Sequence, residues 1–120
     1  LGLTEAAARR GGGDPVVTRI PYGANDRARA ERAESGFIKV VADRRGHILG
    51  VTIVGRQAGE MLAPWCLAMS RRLKLSALAG LMLPYPTLAE LSKRVAGQFY
   101  APKLFSPAVR RLVRFLRWLG

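Results

Sequence analysis

The chain has 120 residues, of which 49% are hydrophobic and 23% charged, a mixture that argues against a disordered protein and fits one domain. No run approaches the ~20 apolar residues of a membrane-spanning helix, and one cysteine and one histidine exclude a disulfide scaffold and a Cys/His metal site. The formal net charge is +12, and residues 61–120 hold most of it because ten basic residues there face a single acidic one, Glu90.

The basic excess bears on the kind of binding partner, and the start of the chain bears on the cellular compartment. Such an excess is compatible with nucleic acid, an anionic membrane surface or an acidic partner. The sequence contains no nucleic-acid motif with interleaved aromatic residues, so we predict no nucleic-acid partner. The first residues contain no basic segment followed by an apolar one, so no signal peptide is predicted. The missing initiator methionine leads us to expect a piece of a longer chain, and the lone cysteine favours a reduced, cytoplasmic compartment.

The first half of the sequence predicts a short helix and three strands. Thr4 is a candidate N-cap of the helix, and a run of glycines followed by Pro15 ends it. Pro21 has no N–H and therefore places its strand at a sheet edge. The predicted elements are a helix over 4–10, a strand over 16–22, a polar connection or one helical turn over 25–34, and two hairpin strands over 36–42 and 47–55.

The second half predicts helices. Their predicted spans are 58–73, 77–82 after Ser76, 87–100, and a final helix that starts at Pro107 with Ser106 as its cap. Pro84 and Pro102 separate them. Strands grouped before helices predict an α+β fold, with an antiparallel sheet that has helices packed on one face.

The order of the motifs resembles one family, the C-terminal dimerisation domain of pyridine nucleotide–disulfide oxidoreductases. That family includes dihydrolipoamide dehydrogenase, glutathione reductase and mercuric reductase. The resemblance spans about residues 1–100, and we predict a dimerisation domain over 1–102 followed by a basic amphipathic helix over 103–120. The motifs that carry it are Gly2-Leu3-Thr4-Glu5, Asn25-Asp26-Arg27-Ala28, Gly36-Phe37-Ile38-Lys39-Val40, Ile48-Leu49-Gly50, Ile53-Val54-Gly55 with Ala58-Gly59-Glu60, and Pro86-Thr87-Leu88-Ala89-Glu90.

The resemblance implies a homodimer in which this domain completes the partner subunit's active site. FAD and NAD(P) would bind to domains that precede residue 1, and this fragment alone would bind neither and would be inactive. Tyr85 and Glu90 are the implied catalytic residues, acting in trans. Tyr85 and Pro86 are the implied cofactor contacts, because the family's cis peptide turns a carbonyl toward the partner's FAD.

Tyr85 departs from the family pattern. Most members have an acid–base histidine there, whereas a phenol has a pKa near ~10 and is a poor proton shuttle at neutral pH. Mercuric reductases resemble this chain in having a Pro-Tyr sequence at that place. They usually end in a vicinal cysteine pair, and this chain ends in Arg117-Trp118-Leu119-Gly120. The substrate therefore stays open between a disulfide, mercuric ion and another acceptor, and so does the choice between NADH and NADPH.

Several of these residues also have structural interpretations. Thr87 and Glu90 fit a capping box, in which each side chain bonds the other residue's amide, and we favour this over a catalytic Glu90. Pro86 fits an ordinary trans proline ahead of a helix. We predict that Cys66 is a small core residue, that His47 is solvated, and that the glycines at 11–13 form a linker without a phosphate-binding role.

The C-terminal segment has its own pattern. Its apolar residues share one face of a helix and its four arginines the other, which fits an anionic membrane surface for residues 106–120. We expect instead that the apolar stripe packs on this protein or on its dimer mate, as most amphipathic helices do.

Two functional hypotheses follow. The first is the dimerisation domain of an FAD-dependent oxidoreductase. The alternative is a free-standing basic module that binds a membrane surface or nucleic acid through residues 103–120.

Overall fold

The computed structural model describes residues 1–104 and 106–119, with side chains through residue 117. A single antiparallel sheet lies beside a layer of helices. The elements, in chain order, are α1 (Glu5–Arg10), β1 (Val16–Pro21), α2 (Asp26–Ala30), β2 (Phe37–Ala42), β3 (Ile48–Val54), α3 (Ala58–Met61), α4 (Ala63–Ser70), α5 (Leu75–Ala79), α6 (Glu90–Gln98), α7 (Ala101–Leu104) and α8 (Pro107–Leu119). The predicted α+β class is confirmed.

The sheet has the strand order β1-β2-β3, with β2 in the centre. The turn between β2 and β3 forms because Asp43 accepts hydrogen bonds from the amides of Arg45 and His47 at 2.8 and 2.9 Å, while Gly46 takes a φ of +87° that favours glycine. Pro21 ends β1, which is an edge strand of the sheet. The predicted hairpin and edge strand are both confirmed.

The N-terminal residues add a short extended segment beside β3, which the sequence did not predict. The amide of Leu3 donates to the carbonyl of Leu49 at 2.8 Å, and Gly2 pairs with Gly50. The two backbones approach so closely that a Cβ on Gly50 would lie 1.9 Å from the Leu3 carbonyl oxygen. Glycine at position 50 is therefore a packing requirement of this edge.

Several predicted helix boundaries are wrong, and proline explains the largest difference. The helix predicted over 58–73 is divided into α3 and α4, since Pro64 in the first turn of α4 has no N–H with which to continue the ladder from α3. Pro102 was expected to stop a helix and instead lies in the first turn of α7, where the missing N–H costs nothing. At Ser106, by contrast, the predicted cap is confirmed, because its hydroxyl accepts from the amide of Val109 at 3.4 Å.

The core lies between the sheet and helices α4, α5 and α6. Trp65 on α4 and Ser92 on α6 are both almost fully buried, and the indole N–H donates to the Ser92 hydroxyl at 2.9 Å. Thr18 on β1 donates to the carbonyl of Val95, which ties α6 to the sheet. The largest fully buried apolar side chains are those of Tyr22, Ile38, Val40, Val51, Trp65, Leu75, Leu91 and Val95.

One prediction about burial is wrong for the single chain. Cys66 is exposed, because on α4 the side chains of Trp65 and Ala68 point into the core and those of Cys66 and Leu67 lie on the opposite side. For the apolar stripe of α8 the prediction named this protein or its dimer mate, and the described residues of this chain's own core do not cover the stripe. Its leucines, Val113 and Phe115 are each more than half exposed over the part of α8 whose side chains are described.

Candidate functional site

The candidate site is the loop over residues 84–87, which lies in the connection between α5 and α6. Its Tyr85 side chain is 70% exposed, and the Tyr85–Pro86 peptide bond is cis, as the resemblance implied. The Thr87 hydroxyl donates to the carbonyl of Pro84 at 2.9 Å and closes the loop on itself. The loop therefore presents a large aromatic side chain to the outside from a backbone that is tied at both ends.

Asn25 fastens this loop to the rest of the domain. Its side chain is 2% exposed and uses both of its polar groups. The amide oxygen accepts from the amide of Ala28 at 3.0 Å and caps α2, while the amide nitrogen donates to the carbonyl of Thr87 at 3.0 Å. Sequence reasoning singled out Asn25 only as part of a family motif, and the structure gives it the task of positioning the loop.

Glu90 contributes one half of the predicted capping box. Its carboxylate accepts from the amide of Thr87 at 3.1 Å. The second half of the prediction is wrong: the Thr87 hydroxyl bonds to Pro84 inside the loop, and regular helix begins only at Glu90. The Thr87 hydroxyl points into the loop because the Pro84 carbonyl lies within hydrogen-bonding distance there. Glu90 thus holds the loop from the helix side, as Asn25 holds it from α2.

The phenol of Tyr85 has a specific partner that the sequence did not reveal. It donates a hydrogen bond to a carboxylate oxygen of Asp26 at 2.8 Å. This hydrogen bond, with the negative charge of Asp26 and a smaller effect of Glu90, raises the pKa of Tyr85 above its ordinary value of 10.0. The phenol is therefore protonated at neutral pH and can donate a hydrogen bond. In the sequence, the only indication that Asp26 belongs to the site was its place in the family motif Asn25-Asp26-Arg27-Ala28.

The loop leaves two backbone acceptors available. The carbonyls of Pro84 and Thr87 accept hydrogen bonds from within the chain, whereas among the described residues no donor reaches the carbonyls of Tyr85 and Pro86. A free carbonyl beside an exposed phenol can accept a hydrogen bond from a bound molecule. It does not supply a phosphate cradle, and the glycine run at 11–13 follows the C-terminal end of α1.

The remaining candidates lie outside this loop. His47 is partly exposed, as predicted, and its Nδ1 lies 2.8 Å from a carboxylate oxygen of Asp43. Within the described ranges, 1–104 and 106–119, no three residues of the types His, Cys, Asp or Glu form a group that could hold a metal ion. The same part of the chain contains no helix that is long and apolar enough to cross a membrane.

Comparison with known proteins places this geometry in a family. Residues 1–96 match the family model described as "Pyridine nucleotide-disulphide oxidoreductase, dimerisation domain". Among curated relatives, the dihydrolipoyl dehydrogenase of Haloferax volcanii is 40% identical over 91 residues, which are 75% of this chain and 19% of that protein. The dihydrolipoyl dehydrogenase of Thermus scotoductus is 41% identical over 91 residues, 75% of this chain and 20% of its own length.

Solved structures agree on the fold. The Cu(II) complex of the HOCl-induced flavoprotein disulfide reductase RclA from Escherichia coli matches with a TM-score of 0.78 and 26% identity, over 81% of this chain and 22% of that one. LpdA from Mycobacterium tuberculosis matches with a TM-score of 0.76 over 82% of this chain and 22% of that one; at 24% identity it supports the fold alone. The chain spans about a fifth of the length of the curated relatives it matches. With a match that covers residues 1–96, the chain belongs to the pyridine nucleotide–disulfide oxidoreductase family as a dimerisation domain.

Proposed function

We propose that this chain is the dimer-forming part of an FAD- and NAD(P)-dependent oxidoreductase similar to dihydrolipoyl dehydrogenase. In this proposal the loop over 84–87 completes the active site of the partner subunit. The observation that carries it is the loop itself: Tyr85 is exposed and no described donor reaches its carbonyl, while Asn25 and Glu90 hold the backbone from two helices. An exposed aromatic residue on a backbone that is fixed by hydrogen bonds is typical of a binding surface, and this favours a contact with a partner subunit.

The residues of the loop limit the chemistry. A bound flavin would supply electron transfer, and the Tyr85 carbonyl would bond one edge of it from the partner subunit. The phenol would orient the substrate through its oxygen, because its one proton is donated to Asp26 and the raised pKa keeps that proton in place at neutral pH. It is unsuited to the proton exchange that thiol–disulfide chemistry assigns to an imidazole. We therefore propose an acceptor whose reduction does not need that shuttle, such as a soft metal ion.

The outer side of α4 is the proposed centre of the dimer contact. Leu67 is 62% exposed, with Cys66 beside it and Leu73 exposed after the end of the helix. A second subunit that covers this group would bury its apolar surface and thereby stabilise the dimer. A stable interface of this kind buries at least about 1,200 Å² in total.

The dimer is tested by sedimentation of the 120-residue chain. The wild type should sediment at twice 13.1 kDa, and Leu67→Glu should be monomeric because it places a charge in the contact. Leu104→Glu is the matched control, since Leu104 is equally exposed but lies outside the matched residues 1–96. A monomeric wild type, or loss of the dimer in both variants alike, would contradict the proposed surface.

The catalytic part is tested in the full-length enzyme by Tyr85→Phe. Flavin content should be unchanged, because the backbone carbonyl is retained, and the substrate half-reaction should slow about tenfold through loss of one hydrogen bond. Tyr100→Phe serves as a control for the chemical change. Loss of flavin in Tyr85→Phe would refute the assignment of the backbone contact.

The alternative is a free-standing basic module. The reading frame upstream of Leu1 distinguishes the two, since the oxidoreductase requires a flavin fingerprint Gly-x-Gly-x-x-Gly and a redox Cys-x4-Cys pair there.

A further inference from the structure

The helix α8 lies beyond the residues that match the family, and its surface is divided into two faces. On a helical projection, Val109, Leu112, Val113, Phe115 and Leu116 fall within one arc, and all but Val109 are exposed by more than half. The described residues of this chain leave the apolar arc largely uncovered. Leu104 lies beside only one margin of the arc, in a groove that Val109 and Val113 line together with Arg110, Arg114 and Arg117.

The opposite arc of α8 is rich in arginine. It holds Arg110, Arg111, Arg114 and Arg117, all of them exposed. None of these arginines has a carboxylate within 4.0 Å among the described residues. The charge is not balanced along the chain either, because residues 91–120 contain seven basic residues and no acidic one. The helix thus presents unpaired positive charge next to exposed apolar surface.

A second copy of this chain is a poor occupant for that surface. The four arginines of α8 would have to meet acidic residues of the other copy, and seven of the eight acidic residues lie in residues 1–60. Many of those carboxylates already have basic partners within the chain. The carboxylates with a basic side chain within 4.0 Å are those of Glu5, Asp14, Glu31, Glu34 and Asp43.

A nucleic acid would match only half of the surface. Phosphates pair with arginine, but a nucleic-acid backbone leaves an apolar arc of leucine, valine and phenylalanine in water. An anionic lipid surface satisfies both arcs at once, since headgroups meet the arginines and acyl chains meet the apolar side chains. A helix of 13 residues is about 20 Å long, too short to cross a hydrocarbon core of about 30 Å, and would therefore lie in the plane of the interface.

We propose that α8 is a peripheral membrane anchor that binds anionic lipid surfaces, with its four arginines at the headgroups and its apolar arc at the acyl-chain boundary. Sequence patterning alone favoured packing on protein. The exposure of the apolar arc and the lack of carboxylate partners favour lipid instead. The proposal does not rest on the oxidoreductase assignment, because it concerns residues outside the family match.

The test is co-sedimentation of the 120-residue chain with vesicles of phosphatidylcholine alone and of phosphatidylcholine mixed with phosphatidylglycerol. Binding should require the anionic lipid and should weaken at high salt. The triple variant Arg110→Gln, Arg114→Gln, Arg117→Gln should bind the mixed vesicles about 100-fold more weakly, at about fivefold for each arginine near the surface. The matched control carries the same change at Arg10, Arg45 and Arg71, which are also exposed, and should bind as the wild type does.

The apolar arc is tested separately by Leu112→Ser with Leu116→Ser. Both side chains are exposed in the free chain, so the variant should fold normally and bind mixed vesicles at least about tenfold more weakly. Normal vesicle binding by this variant would indicate adsorption by charge alone, as to nucleic acid, and would overturn the proposal. So would equal binding to both vesicle types, equal losses in the arginine control, or conversion of either α8 variant from dimer to monomer without lipid. Leu67→Glu should still bind vesicles, which separates this result from the dimer test.

Discussion

Replacing Asn25 tests how the domain holds its exposed loop. In Asn25→Ala, α2 loses the cap to the amide of Ala28, and the carbonyl of Thr87 loses its donor. In Asn25→Ser, the shorter side chain can still cap α2 but cannot reach the carbonyl of Thr87. The two variants therefore separate the two hydrogen bonds of one buried side chain.

The magnitudes follow from these two bonds. Removing a side-chain cap costs about 1 kcal/mol of the free energy of unfolding. Leaving a partly buried carbonyl without its donor costs about 1–2 kcal/mol, toward the lower end here because Thr87 is only partly buried. We expect a loss of about 2–3 kcal/mol for Asn25→Ala and about 1–2 kcal/mol for Asn25→Ser.

Urea unfolding of the 120-residue chain measures both losses. The midpoint should shift by about 1–2 M for Asn25→Ala and by roughly half as much for Asn25→Ser. All proteins must be compared at one concentration, because dimer formation adds to the apparent stability. The reasoning is refuted if Asn25→Ala unfolds within about 0.5 kcal/mol of the wild type, the range of ordinary surface changes, or if Asn25→Ser loses as much as Asn25→Ala.

Three further changes test other contacts. Ser92→Ala leaves the buried indole N–H of Trp65 without an acceptor and should lower the free energy of unfolding by about 1–3 kcal/mol in the same assay. Asp26→Asn removes the negative charge that faces the phenol, so the pKa of Tyr85 should fall toward 10.0; ultraviolet titration of tyrosinate would detect this, and an unchanged curve would contradict it. Gly50→Ala forces a Cβ against the N-terminal segment and should destabilise the chain by about 1–3 kcal/mol, whereas no change would show that this segment is free to move.

Local chemistry made much of the fold predictable. The hairpin followed from two β-rich runs around Asp43–Gly46, and Pro21 marked an edge strand because it cannot donate to a neighbour. Helix boundaries were less predictable where two rules competed. Pro64 and Pro102 are both tolerated in a first turn, so whether each would interrupt a helix or begin one depended on the packing of the flanking segments.

The candidate site was predicted in part. The motif ending at Glu90 pointed to the loop at Tyr85, but the partners of the loop are distant in sequence. Asn25 and Asp26 lie about sixty residues away from Thr87 and Tyr85, and no local pattern pairs them. Only the tertiary structure, which places the start of α2 beside the loop over 84–87, brings these groups within hydrogen-bonding distance.

The sequence by itself determined the α+β class, the edge strand, the family resemblance and the two-faced character of the final helix, because each depends on residue types at short spacing. The tertiary structure decided which side of an apolar helix is buried. On α4 every candidate is apolar, so periodicity could not tell that Trp65 faces the core and Cys66 the exterior. It also decided that the apolar arc of α8 is left uncovered, since burial depends on where the rest of the chain lies and not on the helix alone.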